Sequence, residues 1–247
     1  MKGRVVLSLV SCLVAATFAT GWGVRTLAAQ AANRGTIKGH IRLGGKLPGN
    51  PVIRMGMDPK CAQINAGKRI IQENVVASLD GSLANVFVKL QGTFQTPAPT
   101  EPVTIDQRGC IYGPRMVGVR VGQTLQVRNS DELLHNVHGL SAHNNGFNVS
   151  EPKAGMVQQF RMKDEEMLRL KCDVHSWMTA YIGIVSHPYF AVTSDAGTFE
   201  IRNVPAGVHT IQAWHERYGP LMQPVRVKPG GTTTVDFTYT GAEKPTT

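Results

Sequence analysis

The feature that most restricts the fold is a short alternation that recurs along the chain. Runs such as TIKGHIRL (36–43), ANVFVKL (84–90), VGVRVGQTLQVRN (117–129), MVQQFRM (156–162), LRLKC (168–172), AYIGIV (180–185), GTFEIRNV (197–204), HTIQAWH (209–215) and TTTVDFTYT (232–240) set apolar residues two apart. Gly, Pro, Asn and Asp fall between them. Side chains on a strand point to opposite faces in turn, so this spacing gives strands with one buried face. An amphipathic helix needs apolar residues three and four apart, and no long stretch sustains that. Many short strands with turn signals between them predict an all-β chain built as a sandwich or barrel. The segment NAGKRIIQENVVASL (65–79) suits a short helix or a further strand. TFQTPAPTEP (93–102) has the composition of a linker, and SAHNNGFNVSEPKAG (141–155) that of a long polar loop.

The N-terminus is unlike the rest. Lys2 and Arg4 precede the apolar run VVLSLVSCLVAATFA, and AQA at 29–31 is a small-x-small cleavage pattern. This is the layout of a secretory signal over residues 1–31. An uncleaved anchor is the alternative, because the apolar run approaches the length that spans a bilayer. In either case the body is expected outside the cytoplasm, periplasmic or extracellular, with membrane contact only if the segment stays attached. Removing it takes three basic residues and no acidic one, so the formal charge falls from +9 to +6. The basic residues are scattered and lack aromatic interleaving, so nucleic acid is not an expected partner. Three cysteines remain: Cys61, Cys110 and Cys172. In an oxidising compartment an odd number leaves one over. Cys61 in DPKCAQ and Cys110 in DQRGCIYG sit in loop or edge contexts, which favours a Cys61–Cys110 bridge and leaves Cys172 as the odd thiol.

That thiol begins the most informative stretch, KCDVHSWMTAYIGIV (171–185), where Cys172, His175 and Met178 follow one another at intervals of three. A thiolate, an imidazole and a thioether are soft or intermediate ligands. One Cys and two His with a weak axial Met form the set that holds copper for electron transfer. A second histidine is needed, and LHNVHG offers His135 and His138. Their separation is odd, so a regular strand turns them to opposite faces and only one can be a ligand.

These residues resemble the cupredoxins, most closely the amicyanin-like and plastocyanin-like branch. The His-Asn-Val at 135–137, the short Cys-x-x-His-x-x-Met loop and the strands of CIYGPRMVGVRVGQTLQVRNSD carry the likeness, over roughly Val103 to Val185. The resemblance implies a Greek-key β-sandwich and one mononuclear type 1 copper held by His135, Cys172, His175 and Met178. It implies that Asn136 ties the two ligand loops together, and that the edge of His175 is an electron port with Trp177 in the docking patch. It makes His138 a surface or supporting imidazole. The expected partner is a redox protein, such as a c-type cytochrome or a dehydrogenase. The segment FAVTSDAGTFEIRNVPAGVHTIQAWHERYGPLMQPVRVKPGGTTTVDFTY (190–239) resembles the second half of a carboxypeptidase-regulatory-like, or transthyretin-like, sandwich. GTIKGHIRLGGKLPG (35–49) and ANVFVKLQG (84–92) resemble its first half. The expected division is therefore 33–95 as N-terminal strands of a split sandwich, 103–187 as cupredoxin and 188–241 as the second half; a simple tandem is the alternative. Histidines 40, 143, 187, 209 and 215 are expected to be ordinary strand, loop or surface residues. No nucleophile-base order, paired carboxylates, phosphate loop or zinc spacing argues for an enzyme. Copper storage or delivery, and a metal-free binding module, remain alternative functions.

Overall fold

The computed structural model describes residues 33–94 and 96–245; the expected signal segment lies outside them. Among the described residues, seventeen strands form four sheets. They are β1 (Arg34–Leu43), β2 (Phe87–Leu90), β3 (Val103–Gln107), β4 (Tyr112–Gly113), β5 (Met116–Arg120), β6 (Thr124–Asn129), β7 (His135–Leu140), β8 (Phe147–Glu151) and β9 (Val157–Arg161). They continue as β10 (Glu166–Lys171), β11 (Thr179–Val185), β12 (Phe190–Val192), β13 (Thr198–Pro205), β14 (Gly207–His215), β15 (Gly219–Val227), β16 (Thr232–Thr234) and β17 (Phe237–Tyr239). One six-residue helix, α1 (Pro59–Ile64), follows a 3-10 turn at Met55–Met57. Among the described residues no helix is long and apolar enough to cross a membrane.

The alternation does what its period requires. In β1 every second residue is buried, and Ile37, Ile41 and Leu43 enter one core. The strand pairs antiparallel with β13 and parallel with β16 and β17. The facing sheet runs β12-β2-β14-β15. Strands from both ends of the chain thus enclose one core. Strands β3 to β11 enclose another, between the sheets β5-β11-β10-β7-β8 and β4-β3-β6-β9.

Three local features differ from the sequence expectation. Residues 65–79 form neither helix nor strand, only isolated bridges at Ile71 and Ala77. The helix lies just before them, where Asp58 accepts from the backbone N–H groups of Lys60 and Cys61 and Pro59 opens the first turn. The polar stretch 141–155 contains β8, whose Glu151 pairs with His135 and is fully buried, accepting from Gln107 Nε2 at 2.7 Å. β15 forms despite Pro220 and Pro224 because it lies at a sheet edge, where a missing N–H donor is tolerated.

The two cores meet on a glycine shelf. Gly118 and Gly183 lie opposite each other on β5 and β11. A Cβ on Gly118 would stand 2.1 Å from the ring of Phe190, and one on Gly183 2.4 Å from the ring of Phe87. These rings come from β12 and β2 and pack 5.6 Å apart. The nearly buried Arg115–Glu216 pair bridges the same two bodies at 2.7 Å. Arg120 clamps both connections: its Nη2 donates to the carbonyls of Thr96 at 2.9 Å and Ser186 at 2.7 Å.

His215 is buried, contrary to the surface position expected for it. Its ring stacks on Tyr218 at 4.9 Å, and Nδ1 accepts the Arg217 N–H. Burial, then the charges of Arg115 and Arg217, push its pKa down from 6.5 to about 3.

Two outcomes follow from this packing. Gly183→Val should destabilise the chain by about 1–3 kcal/mol, because the Phe87 ring has no room to yield; thermal denaturation measures it. The unfolded chain protonates His215 below pH 6.5 while the folded chain does not until about pH 3. The contribution is therefore present above pH 6.5 and is lost as the pH falls, at a slope of about 1.4 kcal/mol per pH unit. His215→Asn keeps an acceptor for Arg217 but cannot titrate, so denaturant unfolding across this range should show a flatter acid slope for the variant.

Candidate metal centre

The site is assembled by two neighbouring strands and one hairpin loop. β10 pairs antiparallel with β11, ending at Lys171 opposite Thr179. Residues 172–178 are the connection, closed by Cys172 N–H to Met178 O at 3.2 Å and Met178 N–H to His175 O at 2.9 Å. β7 lies on the other side of β10, which brings His135 beside the loop. His135, Cys172, His175 and Met178 are all buried, and Met178 packs in the same cluster as Cys172.

Three ligand atoms converge. His135 Nδ1 and His175 Nδ1 are 3.0 Å apart, and Cys172 Sγ is 3.8 Å from His175 Nδ1. The outer nitrogens are both occupied by carboxylates. His135 Nε2 donates to Asp131 Oδ2 at 3.0 Å, and His175 Nε2 donates to Asp58 Oδ2 at 3.0 Å. Carboxylates only accept, so the hydrogen-bond network assigns a proton to each Nε2. Two neutral rings then face each other with lone pairs on Nδ1, beside a sulfur. Such a cluster needs a cation at its centre, either a proton or a metal ion, and the donor set fits a soft or borderline metal.

The electrostatics follow from this crowding. Burial opposes a charge on Cys172, but hydrogen bonds from His135, His175 and the backbone N–H groups of Asn136 and His175 outweigh it and lower its pKa to about 6. Burial likewise disfavours imidazolium at His135, yet Asp131 and Cys172 raise its pKa to about 9. His175 is shifted upward by Cys172 and Asp58 against the same burial. The same contacts thus favour the thiolate at Cys172 and the protonated ring at His135.

Asn136 ties the two loops: its Oδ1 accepts the Asp173 N–H at 2.5 Å and its Nδ2 donates to Asp173 Oδ2 at 3.3 Å. Tyr112 reinforces the tie by donating to the Asn136 carbonyl at 2.7 Å. His138 stands apart, half-buried, with Nδ1 2.9 Å from Asp173. Asp173 points outward, also binding Lys171 at 2.8 Å.

The expected exposed edge at His175 is absent: the ring is 1% exposed. Asp58 and the Cys61–Cys110 disulfide cover it, with Cys61 Sγ 3.5 Å from Nε2. Trp177 remains half-buried, its ring 5.1 Å from that of His175 and its Nε1 donating to Cys110 O. A cavity of about 150 Å³ opens beside Trp177 and Met178, lined also by Ile53, Ile70 and Ile111.

The two carboxylates were not found from the sequence. Asp131 had a weak signal, four residues before His135. Its oxygens also accept from Gly109 and Cys110 N–H at 2.8 Å each, which holds both residues in the left-handed region. Asp58 had only its helix-capping context, over a hundred residues from its partner.

A family model for the carboxypeptidase regulatory-like domain matches residues 181–240, from within β11 through β17. No curated protein sequence matches the chain. Similar solved structures are cupredoxins and a copper enzyme. A copper(I) form of an amicyanin variant is 18% identical, covering 34% of this chain and 81% of that one, with a TM-score of 0.31. A purple cupredoxin from Nitrosopumilus maritimus is 18% identical over 33% of this chain and 97% of that one, at 0.29. A copper-containing nitrite reductase from Thermus scotoductus is 16% identical over 39% of this chain and 25% of that one, at 0.32.

Proposed function

We propose that this chain is an exported copper protein that holds one copper ion and exchanges single electrons with a redox protein. The observation that carries this reading is the convergence of His135 Nδ1, His175 Nδ1 and Cys172 Sγ, with both outer ring nitrogens bound to carboxylates. When bound, copper supplies a reversible one-electron couple at such a ligand set. Cys172 provides the thiolate, His135 and His175 the imidazoles, and Met178 a weak fourth ligand. Asn136 fixes the Cys172 loop against β7, so the donors keep one arrangement in both oxidation states. Residues 103–187 are the metal-holding unit in this reading; 33–95 and 188–241 form the sandwich that carries it.

With the His175 edge covered, Trp177 is the remaining half-exposed aromatic beside the ligands and the natural contact for the partner. Encounters of this kind bury little area, and a formal charge of +6 on the mature chain steers an acidic partner toward it. Export is supported by the buried disulfide, which persists in oxidising compartments.

Copper(II) added to the purified chain should give an intense visible thiolate-to-copper charge-transfer band. Cys172→Ser should abolish it, and His138→Ala should leave it unchanged. A reversible one-electron voltammetric wave without metal loss supports electron transfer over storage. A chain that takes up no copper, or a band that survives loss of Cys172, overturns the reading.

A further inference from the structure

Resting on the metal-binding reading above, we propose that Asp58 is a positioning residue for the centre. Its carboxylate holds His175 with Nε2 protonated and Nδ1 turned inward, and the helix it caps closes the ring edge to solvent.

The two oxygens of Asp58 divide the work. Oδ1 accepts from the N–H groups of Lys60 at 2.9 Å and Cys61 at 3.0 Å, starting α1. Oδ2 accepts from His175 Nε2 at 3.0 Å. The position of the carboxylate is therefore that of the helix. The helix is fixed in turn at three points on the metal-holding body: the Cys61–Cys110 disulfide, Asn65 Nδ2 to Gly109 O at 2.9 Å, and Lys60 Nζ to Glu132 O at 3.3 Å. Beyond the helix, Gln72 Nε2 donates to the carbonyl of Trp177 at 3.0 Å, so the same β1–β2 connection grips the ligand loop from its other end. A histidine ligand whose outer N–H meets a carboxylate has a fixed ring orientation and becomes a more basic donor. Asp131 does this for His135 from within β3–β11. Asp58 does it for His175 from outside them. A more basic pair of imidazoles favours the more highly charged oxidation state of a bound metal.

Asp58→Asn separates this role from helix capping. Asparagine caps a helix as well as aspartate does, so the amide oxygen keeps the Oδ1 contacts. The amide nitrogen then faces His175 Nε2 and can only donate, which drives the ring proton to Nδ1.

The test has two readouts. Nitrogen-15 NMR of the metal-free chain, at a pH where the rings are neutral, should find the His175 proton on Nε2 in the wild type and on Nδ1 in Asp58→Asn, with unchanged far-UV circular dichroism. In the copper-loaded chain, the preference for Cu(II) over Cu(I) should fall about tenfold in the variant, an upward shift of about 59 mV. Cys61→Ser with Cys110→Ser, which frees the helix, should shift the potential in the same direction. An unchanged tautomer and potential in Asp58→Asn overturns the inference, while copper uptake by the wild type would leave the functional reading standing. If the wild type takes up no copper, the functional reading fails and the tautomer alone decides the positioning role: a proton that moves to Nδ1 upholds it, and one that stays on Nε2 overturns it.

Discussion

Two imidazoles face each other across 3.0 Å with a sulfur beside them, and each is held from behind by a carboxylate. Much of the surrounding structure exists to keep that arrangement. Three electron-rich atoms do not gather in a buried space unless something positive joins them, because desolvated lone pairs without a partner are costly. The fold opposes their separation from every side. β7 and β10 are hydrogen-bonded neighbours, the 172–178 loop is closed on itself, and Asn136 joins the two. Asp131 is fixed by a left-handed pair of residues, Gly109 and Cys110, whose N–H groups both point at it. A non-glycine residue in that conformation costs about 1–2 kcal/mol, and the charge-assisted hydrogen bonds to Asp131 offset it.

What the sequence made legible was whatever depends on neighbours close in the chain. The period-two runs became strands, with one clean buried face in β1 and β10, both faces covered in β11 and none fully buried in β9. Cys172, His175 and Met178 lie within one short loop, and the structure sets His135, not His138, beside that loop's imidazole and sulfur. The disulfide followed from counting thiols and noticing their settings. What was missed depends on contacts distant in sequence. Asp58 meets His175 across 117 positions, and nothing in DPKCAQ announces it. The burial of His215 follows from the aromatic wall of Tyr218 and Tyr239. β8 was hidden because its alternating residues include Asn148, Ser150 and Glu151, which are polar in composition although Glu151 is fully buried. The covered edge of His175 was misjudged because the resemblance concerns residues 103–185, while the cover comes from 58–64.

That last error points to how the two bodies work together. Arg120 binds the connections on both sides of β3–β11, and the glycine shelf on β5 and β11 seats Phe87 and Phe190 against it. These contacts fix the distance from the end of β1 to the 172–178 loop. The connection from β1 to β2 then reaches over the loop and supplies Asp58, Cys61 and Gln72. A unit cut at 103–187 would retain every expected ligand yet lose the carboxylate on one imidazole and half of the disulfide.

Closing the His175 edge has two physical consequences. Excluding water lowers the local dielectric, so the hydrogen bonds from Asp58 and Asp131 act more strongly on the rings. The same closure removes the His175 ring from the surface. Trp177 lies against His175, borders the cavity beside Met178 and keeps part of its surface open. Its Nε1 is bound to the carbonyl of Cys110, so its orientation depends on the disulfide that also anchors Asp58. One covalent bridge therefore anchors both the carboxylate behind His175 and the half-buried ring beside it.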